Sequence, residues 1–169
     1  MSYLYGPLTR LGLFVALIAL LADQGIKLWL LYAYDLGTRG AVPVIPFFDL
    51  VLVWNKGISY GLFPQEAAFG QWLLLGVKTF AVIVMWIWLA RANSKLIAVA
   101  LGLIIGGALG NAVDRALHGA VVDYVLFKLT PLNIDFYWYV FNLADAAIVA
   151  GVALVLYDSV IGTDAAKAP

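Results

Sequence analysis

No cysteine occurs among the 169 residues, which excludes a disulfide, a thiol nucleophile, thiolate-ligated zinc and a cysteine-held iron–sulfur cluster. Histidine occurs once, at position 118, and no H-E-x-x-H run is present, so the usual zinc ligands are missing as well. Charge is also scarce, at 12% of residues against about 25% in a soluble domain. Ten basic and ten acidic residues cancel, and without a basic run or tail neither nucleic acid nor a strongly anionic surface is indicated as partner. Apolar residues fill the space instead: 64% of the chain, with a mean hydropathy of +0.97, against about 45–50% in soluble domains. An integral membrane protein follows. At this length the chain is a single domain, too short for a membrane bundle and a separate soluble enzyme, so any active site must be built from the bundle itself.

Four apolar stretches, residues 9–31, 69–90, 96–117 and 138–160, are each long enough to cross a hydrocarbon core of about 30 Å, which takes about 20 helical residues. Arg10 beside an apolar run gives the first stretch the look of a signal peptide. The run continues past signal length, however, meets Asp23 and Lys27, and offers no small-residue cleavage site, so it is expected to remain as a span. Arg91 and Lys95 crowd the short link between the second and third stretches, which assigns that link, and with it both termini, to the cytoplasm. The bias is modest, because the outer loops carry Arg39, Lys56 and Lys128. Within the first outer segment, residues 32–68, the period changes to two. Phe48 to Asn55 is rich in aromatic and β-branched residues, with Pro43 and Pro46 on its approach, and predicts one or two strands. The second outer loop, residues 118–137, runs into the aromatic cluster Phe136-Tyr137-Trp138-Tyr139, suited to the headgroup level.

Laid on this topology, the polar residues gather on one side. Asp23 and Lys27 fall in the outer half of the first span, Asn111, Asp114 and Arg115 in the outer turns of the third, and Asn142 and Asp145 in the outer turns of the fourth. The inner halves carry no charge. Spacings of three and four put each group on one helical face. At 1.5 Å per residue Asp145 is expected about 10 Å below the start of its span. Gly102, Gly106 and Gly110, with Gly107 beside them, form the small-residue pattern that lets membrane helices approach closely, and their reading is packing.

An ionisable group at bilayer depth costs at least about 2.5 kcal/mol, so these acids are expected to face a protein interior. For Asp23 with Lys27 the plain alternative is an intrahelical ion pair with the lysine reaching outward. Asp114 with Arg115 divides between scaffold and substrate contact. Asp123 and Asp145, one just beyond the third span and one inside the fourth, can be folded together by the short outer loop. Two carboxyls in one low-dielectric site do not both ionise cheaply, so one keeps a proton while the other stays anionic. That is an acid and a base, as in aspartic proteases, and neither role is assigned to a particular residue here. Competing chemistries are weaker. Gly57-Ile58-Ser59-Tyr60-Gly61 spells a serine-hydrolase elbow without its strand-to-helix context, and Ser59 with Lys27 or Lys56 is a remote Ser/Lys option. A small four-span proton-coupled transporter is the alternative from another class, and a noncatalytic assembly subunit a third.

Five blocks in order carry a resemblance: Asp23-Gln24-x-x-Lys27, Asn55-Lys56-Gly57-Ile58-Ser59-Tyr60-Gly61, Gly106-Gly107-Ala108-Leu109-Gly110-Asn111-x-x-Asp114-Arg115, Val121-Val122-Asp123-Tyr124 and Phe141-Asn142-Leu143-Ala144-Asp145. Together they resemble the successive motifs of the lipoprotein signal peptidase, or signal peptidase II, family. Residues 130–135 are not matched. The resemblance implies an α-helical integral membrane protein of four transmembrane helices with a small periplasmic β-cradle and a periplasmic helical lid. It implies an aspartic endopeptidase of the bacterial inner membrane that cuts prolipoproteins just before a diacylglyceryl-modified cysteine. On this resemblance Asp123 and Asp145 are catalytic. Asn55, Gly57, Asn111, Asp114, Arg115, Asn142 and Ala144 line or support the site, and Asp23 and Lys27 support it or touch substrate. No metal or cofactor is expected. The expected partners are prolipoproteins and membrane lipids, with the enzyme monomeric, its termini cytoplasmic and its site on the periplasmic side. Apolar helix faces are expected to hold acyl chains, and Asn142 or Asn111 to orient substrate carbonyls.

Overall fold

The computed structural model describes residues 4–57 and 68–165. In chain order it contains α1 (Thr9–Leu28), continued by a π-helical turn at Trp29–Ala33, then α2 (Leu36–Arg39), β1 (Val42–Ile45), β2 (Phe48–Asn55), α3 (Ala68–Ala90), α4 (Lys95–His118), β3 (Val121–Phe127), a 3-10 turn at Thr130–Leu132 and α5 (Leu143–Ala165). Among the described residues three helices are long and apolar enough to cross a membrane: Thr9–Ala33, Lys95–His118 and Leu143–Val160. In α3 the described apolar stretch is Thr79–Ala90. The Ile58 to Gly61 part of the elbow-like run lies outside the described residues.

The bundle is organised around α4, and its glycines explain how. A Cβ at Gly102 would lie 2.5 Å from the carbonyl oxygen of Gly12, and one at Gly106 would run into the Ala16 carbonyl, so α1 rests on the α4 backbone along this face. A Cβ at Gly107 would strike the Ala144 carbonyl, and one at Gly151 would sit 2.6 Å from the Ala100 carbonyl, so α5 docks along another face in the same way. Small residues thus bring two neighbours into backbone contact, where the repeat alone implied one. The core between these helices consists of Ala16, Leu89, Ala92, Ile97, Ala98, Leu101 and Ile105. Ser94 caps α4 by accepting from the Ile97 N–H, 3.4 Å, and its hydroxyl donates to Asp158 of α5, 3.2 Å. At the other end Gly119, with φ of 69°, closes α4 in the left-handed conformation that glycine adopts without penalty, its N–H bonded to the Arg115 carbonyl.

The expected strand region is present as β1 and β2, but the sheet has a third member inside the segment expected as the second outer loop. The order is β1-β2-β3, all antiparallel, with Val53 opposite Asp123 and Asn55 opposite Val121. Val121-Val122-Asp123-Tyr124-Val125-Leu126-Phe127 is a β-branched and aromatic run of the kind that favours a strand. The fourth helix also differs. It begins at Leu143 rather than at residue 138, because the preceding backbone is taken up by β3: Trp138 N–H bonds Phe127 O at 2.8 Å, and Phe141 and Val125 exchange bonds of 3.0 and 2.8 Å. Asp145 consequently lies in the first helical turn, not about 10 Å below the helix start.

Candidate active site

The first turn of α5 is built by a reciprocal pair of hydrogen bonds. Asn142 precedes the helix and its side-chain oxygen accepts the Asp145 N–H, 2.9 Å, while the Asp145 carboxylate accepts the Asn142 N–H, 3.3 Å. This is a capping box, and the spacing of three reflects a helix start rather than a mid-span face. Capping uses only the oxygen of the Asn142 amide. Its nitrogen turns the other way, donating to Asp123 Oδ1 at 2.6 Å, to Asn111 Oδ1 at 3.0 Å and to the Val122 carbonyl at 3.3 Å. One residue therefore touches both candidate acids, the Asp123 carboxyl through its side-chain amide and the Asp145 carboxyl through its backbone N–H.

Asp123 reaches the same point from β3. It is 2% exposed, and its second oxygen accepts from Asn55 Nδ2, 2.9 Å, across the β2–β3 ladder. Burial pushes its carboxyl up to about 6, with the Asn55 amide opposing and the neighbouring Asp145 charge adding to the rise. Asp145 Oδ1 accepts from Asn111 Nδ2 of α4 at 2.8 Å. Both Asn111 and Asn142 are thus turned onto the acids. Asn55 itself is fixed by the Gly57 N–H, 2.9 Å from its side-chain oxygen.

Beneath lies a second layer of charge. Lys27 is 2% exposed and buried among acids rather than reaching outward: its ammonium is 2.7 Å from Asp23 Oδ2, 2.7 Å from Asp114 Oδ2 and 3.2 Å from Asn111 Oδ1. Asp23 also accepts the Ala144 N–H, 2.9 Å, tying α1 to the start of α5. Asp114 accepts the Val122 N–H, 3.1 Å, tying α4 to β3. Gln24, quoted in the first motif but not counted among the site residues, donates to Asp114 Oδ1 at 2.9 Å and to the Gly110 carbonyl at 3.1 Å. The missed signal is its position next to Asp23, one step from the polar face. Tyr124 is a second omission, its hydroxyl accepting the Leu143 N–H at 3.1 Å. Burial pushes that phenol up to about 12. Arg115 is buried, donates through Nη2 to the Gly57 carbonyl, and among the described residues has no partner for Nε or Nη1.

The two acids and Asn55 line one end of a cavity of about 580 Å³, whose remaining wall includes Trp138, Tyr139, Ile148, Val149 and Ala153. From Asp145 to Ala153 this wall follows α5 for about 12 Å. One cavity thus carries acids at one end and an apolar trough along the rest.

A family model described as signal peptidase (SPase) II matches residues 15–161. The chain belongs to the signal peptidase II family. A lipoprotein signal peptidase of Nitrobacter hamburgensis is 57% identical over 160 residues, covering 95% of this chain and 98% of that one. One from Rhodopseudomonas palustris (strain TIE-1) is 55% identical with the same coverage. Two solved structures of bacterial membrane enzymes share the fold, with TM-scores of 0.74 and 0.64 at 23% and 24% identity. The first covers 95% of this chain and 93% of its own, the second 88% and 91%. Membership of a signal peptidase II family makes the chain a peptide hydrolase of the membrane and removes the transporter alternative.

Proposed function

We propose that this enzyme removes signal peptides from prolipoproteins, cutting just before the diacylglyceryl cysteine, and that Asp123 and Asp145 perform the hydrolysis. The observation that carries the reading is Asn142, which joins both carboxyls at the head of a cavity running along α5, a helix apolar enough to cross a membrane. The anionic member takes a proton from water, whose oxygen attacks the scissile carbonyl carbon while the protonated member hydrogen-bonds the carbonyl oxygen. Collapse of the tetrahedral intermediate breaks the C–N bond, and a proton passes to the leaving amine of the lipidated cysteine. The trough along α5 suits an acyl chain, which anchors the peptide at the depth of the acids and replaces a deep soluble cleft by orientation. Arg115, with Nε and Nη1 unpartnered among the described residues, is the donor suited to a substrate carbonyl.

The finer architecture belongs to the same proposal: four crossings with α3 as the second, cytoplasmic termini, the sheet and a helical lid on the periplasmic side, and a monomer. Asn55, Gly57, Asn111, Asp114, Asn142, Ala144, Asp23 and Lys27 hold the pair in place. The test is the Asp123→Asn and Asp145→Asn variants, reconstituted with a lipidated precursor and followed by mobility shift. Both are expected to lose turnover by at least about a thousandfold, on the scale seen when one member of a catalytic set is removed. Undiminished cleavage by either removes that residue from the chemistry.

A further inference from the structure

We propose that Lys27 is a positioning residue: it fixes which end of the Asn111 side chain faces Asp145, and through that amide holds Asp145 as the ionised member of the pair. The inference rests on the reading of Asp123 and Asp145 as the hydrolytic dyad. An ammonium has three donors and no acceptor, and the three found near Lys27 Nζ are all oxygens, at 2.7, 2.7 and 3.2 Å. The third is Asn111 Oδ1. Because Lys27 accepts nothing, Asn111 presents its carbonyl to the lysine and its NH2 to the far side, where Asp145 Oδ1 lies at 2.8 Å. The Asn142 amide donates to the same Asn111 oxygen and reinforces the choice.

The two acids then stand in unequal surroundings. Asp145 receives the Asn111 amide and the Asn142 backbone N–H, and it lies in the first turn of α5, where the helix dipole favours an anion. Asp123 is on a strand, buried, without a helix end, and takes two neutral amides. Among the described residues the other charged or titratable groups facing the cluster are Asp23 from α1, Asp114 and Arg115 from α4 and Tyr124 from β3. This distribution makes Asp145 the base toward water and Asp123 the carrier of the proton. Without the ammonium, Asn111 is free to rotate and to present an oxygen to Asp145, which an anion opposes.

The test is a pH–rate profile for cleavage of a lipidated precursor, with kcat and KM resolved, for wild type, Lys27→Met, Lys27→Arg and the double variant Lys27→Met/Asp114→Asn. Lys27→Met is expected to lower kcat about 10- to 100-fold, leave KM within about twofold, and move the acid limb of kcat/KM upward by about one pH unit, the scale of a nearby charge. Lys27→Arg is expected to restore the limb. A purely structural lysine would lower folded yield and maximal rate but leave the limb where it is. A folded neutral variant with the wild-type limb overturns the proposal. Should Lys27→Met not fold, the double variant, which removes one charge of each sign, is read in the same way; if neither folds, Lys27 is scaffold and the proposal fails. The Asp123→Asn and Asp145→Asn controls separate the two levels. Dead controls with an unmoved limb overturn only this assignment, whereas active controls overturn the dyad beneath it.

Discussion

In the proposed dyad Asp123 combines a functional demand with a cost to the fold, and the cost is measurable. Its carboxyl is raised from 3.8 to about 6 by burial, so the folded protein keeps a proton that the unfolded chain gives up. That contribution is fully present below pH 3.8 and is lost as pH rises through about 6, at 1.36 kcal/mol per pH unit, or about 3 kcal/mol in all. Asp123→Asn is therefore expected to be inactive yet more stable than wild type at about pH 7.5, with no gain at about pH 4, as thermal unfolding in detergent across that range will report. At Asp145 the outcome depends on which atom is lost. Asp145→Asn keeps an oxygen for the Asn142 N–H, whereas Asp145→Ala removes the reciprocal cap and is expected to cost about 1 kcal/mol more, by the same unfolding measurement. The pairing of these two acids was legible from their places at the ends of neighbouring spans. Their common partner Asn142 is legible too, but its spacing of three to Asp145 fits a shared helical face. Asn142-x-x-Asp145 is also a capping sequence, and only the loss of helical bonds upstream to β3 decides between the two.

Among the elements, α4 sets the geometry of the site because its backbone is the surface on which α1 and α5 lie. Gly107→Ala would press on the Ala144 carbonyl, one residue from Asp145, whereas Gly102→Ala would press on Gly12 far from the acids. Both are expected to destabilise by about 1–3 kcal/mol, the usual cost of overpacking. Only Gly107→Ala is expected to lower kcat beyond its effect on the folded fraction, which activity normalised to folded protein will check. The glycine repeat was visible in the sequence, and close approach followed from it. That two helices, not one, use it was not visible, since the repeat gives spacing along one helix and not the identity of its neighbours. β3 escaped for a related reason. Its first four residues are buried, so exposure does not alternate along it, and it lacks the prolines that set off β2; only its β-branched and aromatic content marks it.

At the scale of the whole molecule, the absence of cysteine becomes an experimental advantage, because any single introduced thiol reports alone. Cysteines placed at exposed Leu117 and Trp138 are expected to react with a membrane-impermeant reagent added to the periplasmic face, and one at Arg91 only after the membrane is opened. The reverse pattern would invert the proposed orientation. Hydropathy marks the three helices that are long and apolar enough to cross a membrane among the described residues, because apolar length is an additive property of sequence. The polar network was legible only as a set of residues on one side, since which oxygen meets which nitrogen depends on helix contacts separated by up to 121 positions, as between Ala144 and Asp23.

The trough that follows α5 away from the acids has a kinetic consequence of its own. If the lipidated precursor enters along this trough, as proposed, it is counted per lipid or detergent molecule, not per litre. At fixed total precursor, diluting it with added detergent is expected to slow cleavage in proportion to its falling mole fraction in the micelle, while diluting the whole suspension with buffer leaves the rate per enzyme nearly constant. A saturation constant for this protein is then a surface density, and inhibitors will rank by how they partition as much as by how they fit.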